Sequence, residues 1–392
     1  MDYQADYDVV VAGGGIAGVA AALEAARCGM SVALVEKTVL LGGLATTGLI
    51  LVYLPLCDGN GTQVTFGIAE ELLHLSLKYG PGQVPEGWKQ GAQLEERSRY
   101  RVVFNPASFV LALDEVLEEA GVELWLDTLV TRPVVEDGRA AGVEVENKAG
   151  RGTLRGRCLV DATGDADLAF RAGAPCAEGL NWLSLWALEV DTAGEGGARP
   201  KMTWVGANAN GRGQSADMPR VSGCGPRDAT EFVLAGRRLL RERYRERYAS
   251  GQANRDTLYP VALPAMAQFR TTRRILGREG MRPGQAGVTR PDSIGLVGDW
   301  RTAGPVWEVP FGALVPQGVS GLVVAGRCLD AEGDAWEVAR VIPPAALTGQ
   351  AAGAAAALAV RSQTSPDQLP VQALQDHLRG RGVPLHLAEV GL

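Results

Sequence analysis

Residues 8–18, Asp8-Val9-Val10-Val11-Ala12-Gly13-Gly14-Gly15-Ile16-Ala17-Gly18, join an apolar run of strand length to glycines spaced G-x-G-x-x-G and an Ala-rich continuation. The run reads as a buried parallel strand and the continuation as a helix. The three glycines serve different ends. Gly13 permits the sharp strand-to-helix turn, Gly15 lets a pyrophosphate approach the backbone, and Gly18 lets the helix pack closely on the strand. Ile16 and Ala17 then sit in the first helical turn, whose free N–H groups and partial positive charge suit phosphate. Ser31-Val32-Ala33-Leu34-Val35 forms a second strand. Glu36, followed by Lys37, stands at its end, where a carboxylate accepts hydrogen bonds from both ribose hydroxyls and repels a 2′-phosphate. With a strand before, a helix after and an acid at this distance, the stretch is a dinucleotide cradle rather than a chance match among the chain's 51 glycines.

At 392 residues the chain is long enough for two domains with substantial cores, and 46% hydrophobic with 21% charged is ordinary for a globular protein. The net charge of −7 gives no footprint for nucleic acid or anionic membrane. Asp2, Asp6 and Asp8 stand where a secretory signal would be basic, so the expected location is cytoplasmic. The six cysteines show no C-x-x-C pair or Cys/His cluster, and the expectation is that no metal is bound. Cys28, Cys158 and Cys328 read as small core hydrophobes. The three histidines, His74, His377 and His386, lie apart from every glycine motif, which argues against a histidine base.

Leu41-Gly42-Gly43-Leu44-Ala45-Thr46-Thr47-Gly48 is a small-residue loop made for close approach. Helices are predicted over 67–79 and 106–120, the latter closed by Gly121. Strands follow at 122–126, 134–136, 140–145 and 159–162, with Asp137-Gly138 as a hairpin signal. The last ends in Asp161-Ala162-Thr163-Gly164-Asp165, at a carboxyl strand end where ligands sit in open α/β sheets. After Cys176 the composition shifts, and an Arg-rich helix from about Asp228 to Ser250, with Asp228 and Glu231 at capping-box spacing, marks an inserted domain. Phe232, Ala235, Leu239 and Tyr244 give this helix a packed face, and its alternating acids argue against nucleic acid. Leu322-Val323-Val324-Ala325-Gly326 is a further buried strand. Pro343-Pro344 then starts an Ala-rich helix running to about Val360, with Gly349 and Gly353 allowing tight helix packing. It is too short and too weakly apolar to span a membrane.

Gly13 to Gly18 with Glu36, Gly42-Gly43, the Asp161–Asp165 turn and Gly326-Arg327-Cys328, in this order, resemble the FAD-dependent oxidoreductase family of glutathione-reductase-like flavoproteins, in a branch related to fumarate reductase flavoprotein subunits. Arg270, Arg273-Arg274-Ile275, Val309-Pro310-Phe311, Arg340-Val341 and Gly349-Gln350-Ala351-Ala352-Gly353 match that branch as well. The resemblance implies an α/β fold: a Rossmann-like FAD-binding domain, with parallel sheet and β-meander, formed by 1–176 and 310–392, and an inserted α+β substrate or cap domain at 177–309. It implies FAD as cofactor, with adenosine near Glu36 and the Thr163-Gly164 turn, and with Lys37, Val130, Thr46 and Thr47 also among the residues that bind it. The isoalloxazine would lie by Gly42-Gly43 and the C-terminal motif, and the helix starting near Pro344 would aim its dipole at the flavin N1/O2 edge. Arg327 or Asp330 would hold the ribityl chain or pyrophosphate, unless Asp330 caps local backbone.

The function so implied is hydride exchange between flavin N5 and a small substrate in a cleft between the two domains. Arg273 and Arg274 are the candidates for clamping a substrate carboxylate, their alternative being salt bridges to core acids. Arg340 is the candidate for a charge beside the ring. Gly333 stands where the family usually has a histidine, and a second family histidine after Asp292-Ser293-Ile294 is also missing. Asp334, Glu308 and Tyr259 are therefore the candidates for carrying the proton. The missing histidines also motivate a non-catalytic flavoprotein, a redox sensor or electron-transfer subunit. A third reading, an NAD-dependent dehydrogenase, predicts a colourless protein. The partner expected is a small molecule alone, and the oligomeric state is left open.

Overall fold

The computed structural model describes residues 3–84, 101–192, 199–207, 218 and 220–392. The chain forms two compact units, one from residues 1–43, 52–177 and 274–392, the other from 44–51 and 178–273.

At the centre of the first unit is strand β1, Tyr3–Ala12, whose last four residues are fully buried. Helix α1, Ile16–Arg27, returns the chain to β2, Val32–Val35, which lies parallel to β1 with Val10 beside Ala33. The strand Glu123–Trp125 extends the sheet beyond β2. On the other side of β1 runs the long strand Gly150–Asp161, also parallel. It has two successive neighbours on its outer edge. Residues 150–155 pair antiparallel with Arg139–Asn147, which in turn pairs with Leu129–Glu136; residues 159–161 pair parallel with Leu322–Val324. One strand thus belongs to both the Rossmann-like parallel sheet and the meander.

That strand is longer than the periodicity predicts. Its inward positions include Gly152 and Gly156, which carry no apolar signal. A Cβ on Gly152 would lie 2.2 Å from the Tyr3 ring, so the glycine makes room for an aromatic residue on β1.

The helix Ile342–Arg361 lies along α1. A Cβ on Gly349 would come within 2.2 Å of the Ala17 carbonyl oxygen, and one on Gly353 within 2.2 Å of that of Ala21. These are backbone contacts, which no rotamer change relieves. Gly353→Ala is therefore expected to cost about 1–3 kcal/mol, read as a lower denaturant midpoint at unchanged m-value. Among the described residues no single helix is long and apolar enough to cross a membrane.

In the second unit the strand Ser184–Asp191 is flanked antiparallel by Lys201–Gly206 and Leu258–Ala262. The helix Asp228–Ala249 packs on this sheet, with Leu240 and Tyr244 against Leu185, Ala187, Ala253 and Leu258. The arginine run serves this packing: Arg243 pairs with Glu189 and donates to Thr203, and Arg247 joins Lys201 on Asp191. The predicted capping box does not form. Asp228 is already helical, and its carboxylate instead accepts the N–H groups of Gly223 and Gly225 in the preceding turn, at 2.7 and 3.1 Å.

The unit boundary also differs from expectation. Residues 274–309 group with the first unit, because the antiparallel pair Ser293–Gly298 and Val306–Pro310 packs against the C-terminal helices.

Candidate functional site

At the carboxyl end of β1 the glycines are used as spaced. Gly13 takes φ 102°, and a Cβ there would sit 2.6 Å from the Ala162 carbonyl oxygen. On Gly18 a Cβ would be only 1.8 Å from the Gly13 carbonyl oxygen, so the helix can start here only without one. Gly15 is different. Nothing lies within 4 Å of its Cβ position, so the space over the helix N-terminus is open, and Ile16 and Ala17 present first-turn N–H groups that have no intrahelical acceptor.

The remaining turns close on this point from distant parts of the chain. Gly42 forms a parallel bridge with Gly15 and donates its N–H to the Gly14 carbonyl at 2.8 Å. Gly43, at φ 56°, leaves 3.1 Å between its Cβ position and the Gly15 Cα, while Gly326, at φ 80°, leaves 3.0 Å to the Ala17 Cβ. Gly164, at φ 78°, lies beneath the Arg327 guanidinium, which is ion-paired with Asp165 at 2.6 Å.

Three polar side chains organise these turns. Glu36 accepts the Gly14 N–H through Oε2 at 2.8 Å, and both the N–H and hydroxyl of Thr38 through Oε1 at 2.9 Å each. A carboxylate has about four acceptor sites, so the protein fills three and leaves one for a ribose, fewer than the two expected. Lys37 beside it is exposed. Asp161, fully buried, accepts the N–H and hydroxyl of Thr163 through one oxygen and the Ala169 N–H through the other; burial holds its pKa above the usual carboxylate value. Thr348 accepts the Gly326 N–H and donates to the Pro344 carbonyl. Sequence reasoning missed Thr38 and Thr348. Their signals were a hydroxyl two residues after the strand-end acid and a lone hydroxyl in an Ala-rich helix.

The helix Ile342–Arg361 has Pro343 and Pro344 in its first turn. They contribute no N–H, and that of Ala345 is spent on the Val341 carbonyl, leaving this helix start to act through its dipole more than through donors. Val130 lies in the meander strand opposite Val145, and its carbonyl accepts from Arg171 at 3.4 Å.

Several expected active residues are engaged elsewhere. Asp330, 1% exposed, accepts from Arg274 at 2.5 Å, from Arg282 at 2.8 and 3.0 Å, and from the Gly277 N–H at 3.0 Å. A carboxylate so filled does not hold a ribityl chain. Arg274 spends its fork on Asp330 and Glu332, so it is no substrate clamp. Glu308, also buried, accepts from Arg290 N, His386 Nδ1 and Leu387 N, which makes it an anchor for the C-terminal segment rather than a proton carrier. Arg340 pairs with Glu337 one turn before it. Asp334 stands apart from these: its Oδ1 is buried with no hydrogen-bond partner among the described residues. Thr46, Thr47, Tyr259 and Arg273 belong to the second unit, where Thr47 donates to Met266 Sδ, Tyr259 is 38% exposed and Arg273 faces Glu178 at 3.8 Å. The thiols of Cys158 and Cys328 are pushed up by burial, the former to about 11, as expected of core residues.

A parallel sheet whose carboxyl edge ends in an open helix N-terminus, with an acid on the next strand, defines a dinucleotide-binding protein of the Rossmann type. The family model described as FAD dependent oxidoreductase matches residues 8–184 and 195–378. The chain belongs to that family: it is an oxidoreductase, and its cofactor is FAD. Among solved structures it is similar to BexE, studied for oxidation during BE-7585A biosynthesis, with 18% identity over 96% of this chain and 66% of that one and a TM-score of 0.51. A geranylgeranyl bacteriochlorophyll reductase-like protein from Thermoplasma acidophilum has 15% identity, coverage of 96% and 84%, and a TM-score of 0.49. For p-nitrophenol 4-monooxygenase PnpA from Pseudomonas putida DLL-E4 the values are 14%, 96% and 84%, and 0.49. No curated protein matches the sequence. The open space over Gly15 fits the pyrophosphate of FAD, which the first-turn N–H groups would hold, with Glu36 toward the ribose.

Proposed function

We propose that this oxidoreductase exchanges a hydride between the flavin ring of FAD and a small organic substrate. The observation that supports the reading is the meeting of four glycine turns, at Gly13–Gly18, Gly42–Gly43, Gly164 and Gly326, from four distant stretches of chain. A ligand touching all of them is a long dinucleotide. When bound, FAD supplies a two-electron donor or acceptor at ring atom N5.

The chain's own part is to hold the cofactor and manage a proton. Ile16 and Ala17 would bind phosphate through backbone N–H groups, and Arg327, fixed by Asp165, would add positive charge beside the Gly164 turn. Asp334 is the residue assigned to the proton, because its unpartnered Oδ1 is free to accept one. The buried network takes Arg274 out of the carboxylate-clamp reading, and Arg273 faces Glu178 at 3.8 Å, so the substrate class is left at small organic molecules.

An anaerobic screen of purified holoprotein against amino acids, hydroxy acids, aromatic compounds and reductants, scored by flavin bleaching, tests the proposal. Rapid bleaching by one class is expected; no bleaching by any would count against it. With that substrate, Asp334→Asn is expected to slow bleaching by about 10²-fold or more at unchanged FAD content. A rate within a factor of about three would remove Asp334 from the chemistry.

A further inference from the structure

We propose a zinc site at the far end of α1, formed by Glu24 Oε1, Cys28 Sγ and His377 Nε2. Glu24 and Cys28 are four residues apart and so share one face of the helix, and His377 comes to them from the helix Val371–Gly380. The three donor atoms form a triangle with sides of 3.7 Å (Sγ to Oε1), 3.8 Å (Sγ to Nε2) and 2.8 Å (Nε2 to Oε1). A tetrahedral zinc with ordinary bond lengths to S, N and O spans donor-to-donor edges of about 3.3–3.6 Å. The triangle needs only a few tenths of an ångström of adjustment to become one face of that tetrahedron.

The donor set is borderline-soft and mixed, which suits zinc over magnesium or calcium. Glu24 is 1% and Cys28 4% exposed. Gln350 donates to the other carboxylate oxygen of Glu24 at 3.0 Å, the outer hydrogen bond that fixes a ligating carboxylate. Arg381 Nε donates to Oε1 at 3.1 Å, and its side chain is 37% exposed. An ion carrying two positive charges replaces that guanidinium, which turns outward to water, and a water molecule supplies the fourth ligand. Glu24 and a Cys28 thiolate together bring two negative charges, so the loaded site is neutral. Sequence reading expected no metal because 349 residues separate Cys28 from His377. The inferred role is to clamp the helix Val371–Gly380 to α1, at the end opposite the phosphate cradle.

The holoprotein, stripped with chelator, is to be titrated with Zn²⁺ by calorimetry and with Co²⁺ by visible absorption, read to the red of the flavin bands. One equivalent of each ion is expected, the cobalt form showing tetrahedral ligand-field bands. Cys28→Ser and His377→Gln should each weaken zinc binding by about 100-fold or more while retaining FAD. X-ray absorption of the zinc-loaded wild type needs no variant and should find one sulfur among four ligands. No stoichiometric binding, a zinc shell without sulfur, or undiminished affinity in both variants would overturn the assignment.

Discussion

Gly18→Ala is expected to yield a protein that either fails to accumulate or purifies without FAD, destabilised by about 3 kcal/mol or more. The added Cβ would lie 1.8 Å from the Gly13 carbonyl oxygen. That oxygen belongs to the turn that the cofactor needs, so relief comes only by moving the strand-to-helix junction itself. Gly15→Ala is the informative partner. Its backbone, at φ −69° and ψ 178°, is open to any residue, and its Cβ meets no protein atom within 4 Å. Gly15→Ala should therefore fold with an unchanged melting temperature of the apoprotein and lose at least about tenfold in FAD affinity, a difference of about 1.4 kcal/mol. Flavin absorbance per protein and apoprotein melting curves separate the two variants. If both lose stability equally, the space over Gly15 is not the pyrophosphate site.

Asp330→Ala should be the most damaging change away from the cradle, at about 3–5 kcal/mol of folding stability. Removal leaves the Arg274 guanidinium, 7% exposed, with Glu332 as its remaining acid, and strands the Gly277 N–H. Arg282 suffers less, because its side chain is 36% exposed and can turn to water. Chemical denaturation of the holoprotein measures the loss. A change below about 1 kcal/mol would mean that the network is dispensable and that Arg274 is available for substrate after all.

Strand, glycine turn, helix and terminal acid were legible because each is a local pattern: residues 8–36 contain both the periodicity and its punctuation. The capping of Glu36 by Gly14 and Thr38 was not, since a sequence shows a carboxylate without its donors. The same gap explains the acids and arginines read as catalytic. Asp330 finds Arg274 from 56 residues away, and Glu308 finds His386 from 78. Charge is written in the chain, but neutralisation is decided by packing. The meander strand was read short for another reason: glycines at its inward positions erase the alternation that marks a strand while improving its fit against Tyr3.

The strand Gly150–Asp161 has a further consequence for biosynthesis. Its last three residues wait for Leu322–Val324, which emerge from the ribosome about 160 residues later, a delay of roughly 10–30 s. Throughout that interval the strand edge at Leu159-Val160-Asp161 has no partner on one side and is open to pairing with another nascent chain. Gly326, Arg327 and the helix that covers α1 arrive later still. Translation stalled before residue 322 leaves an exposed edge, and a cradle still without its Gly326 turn.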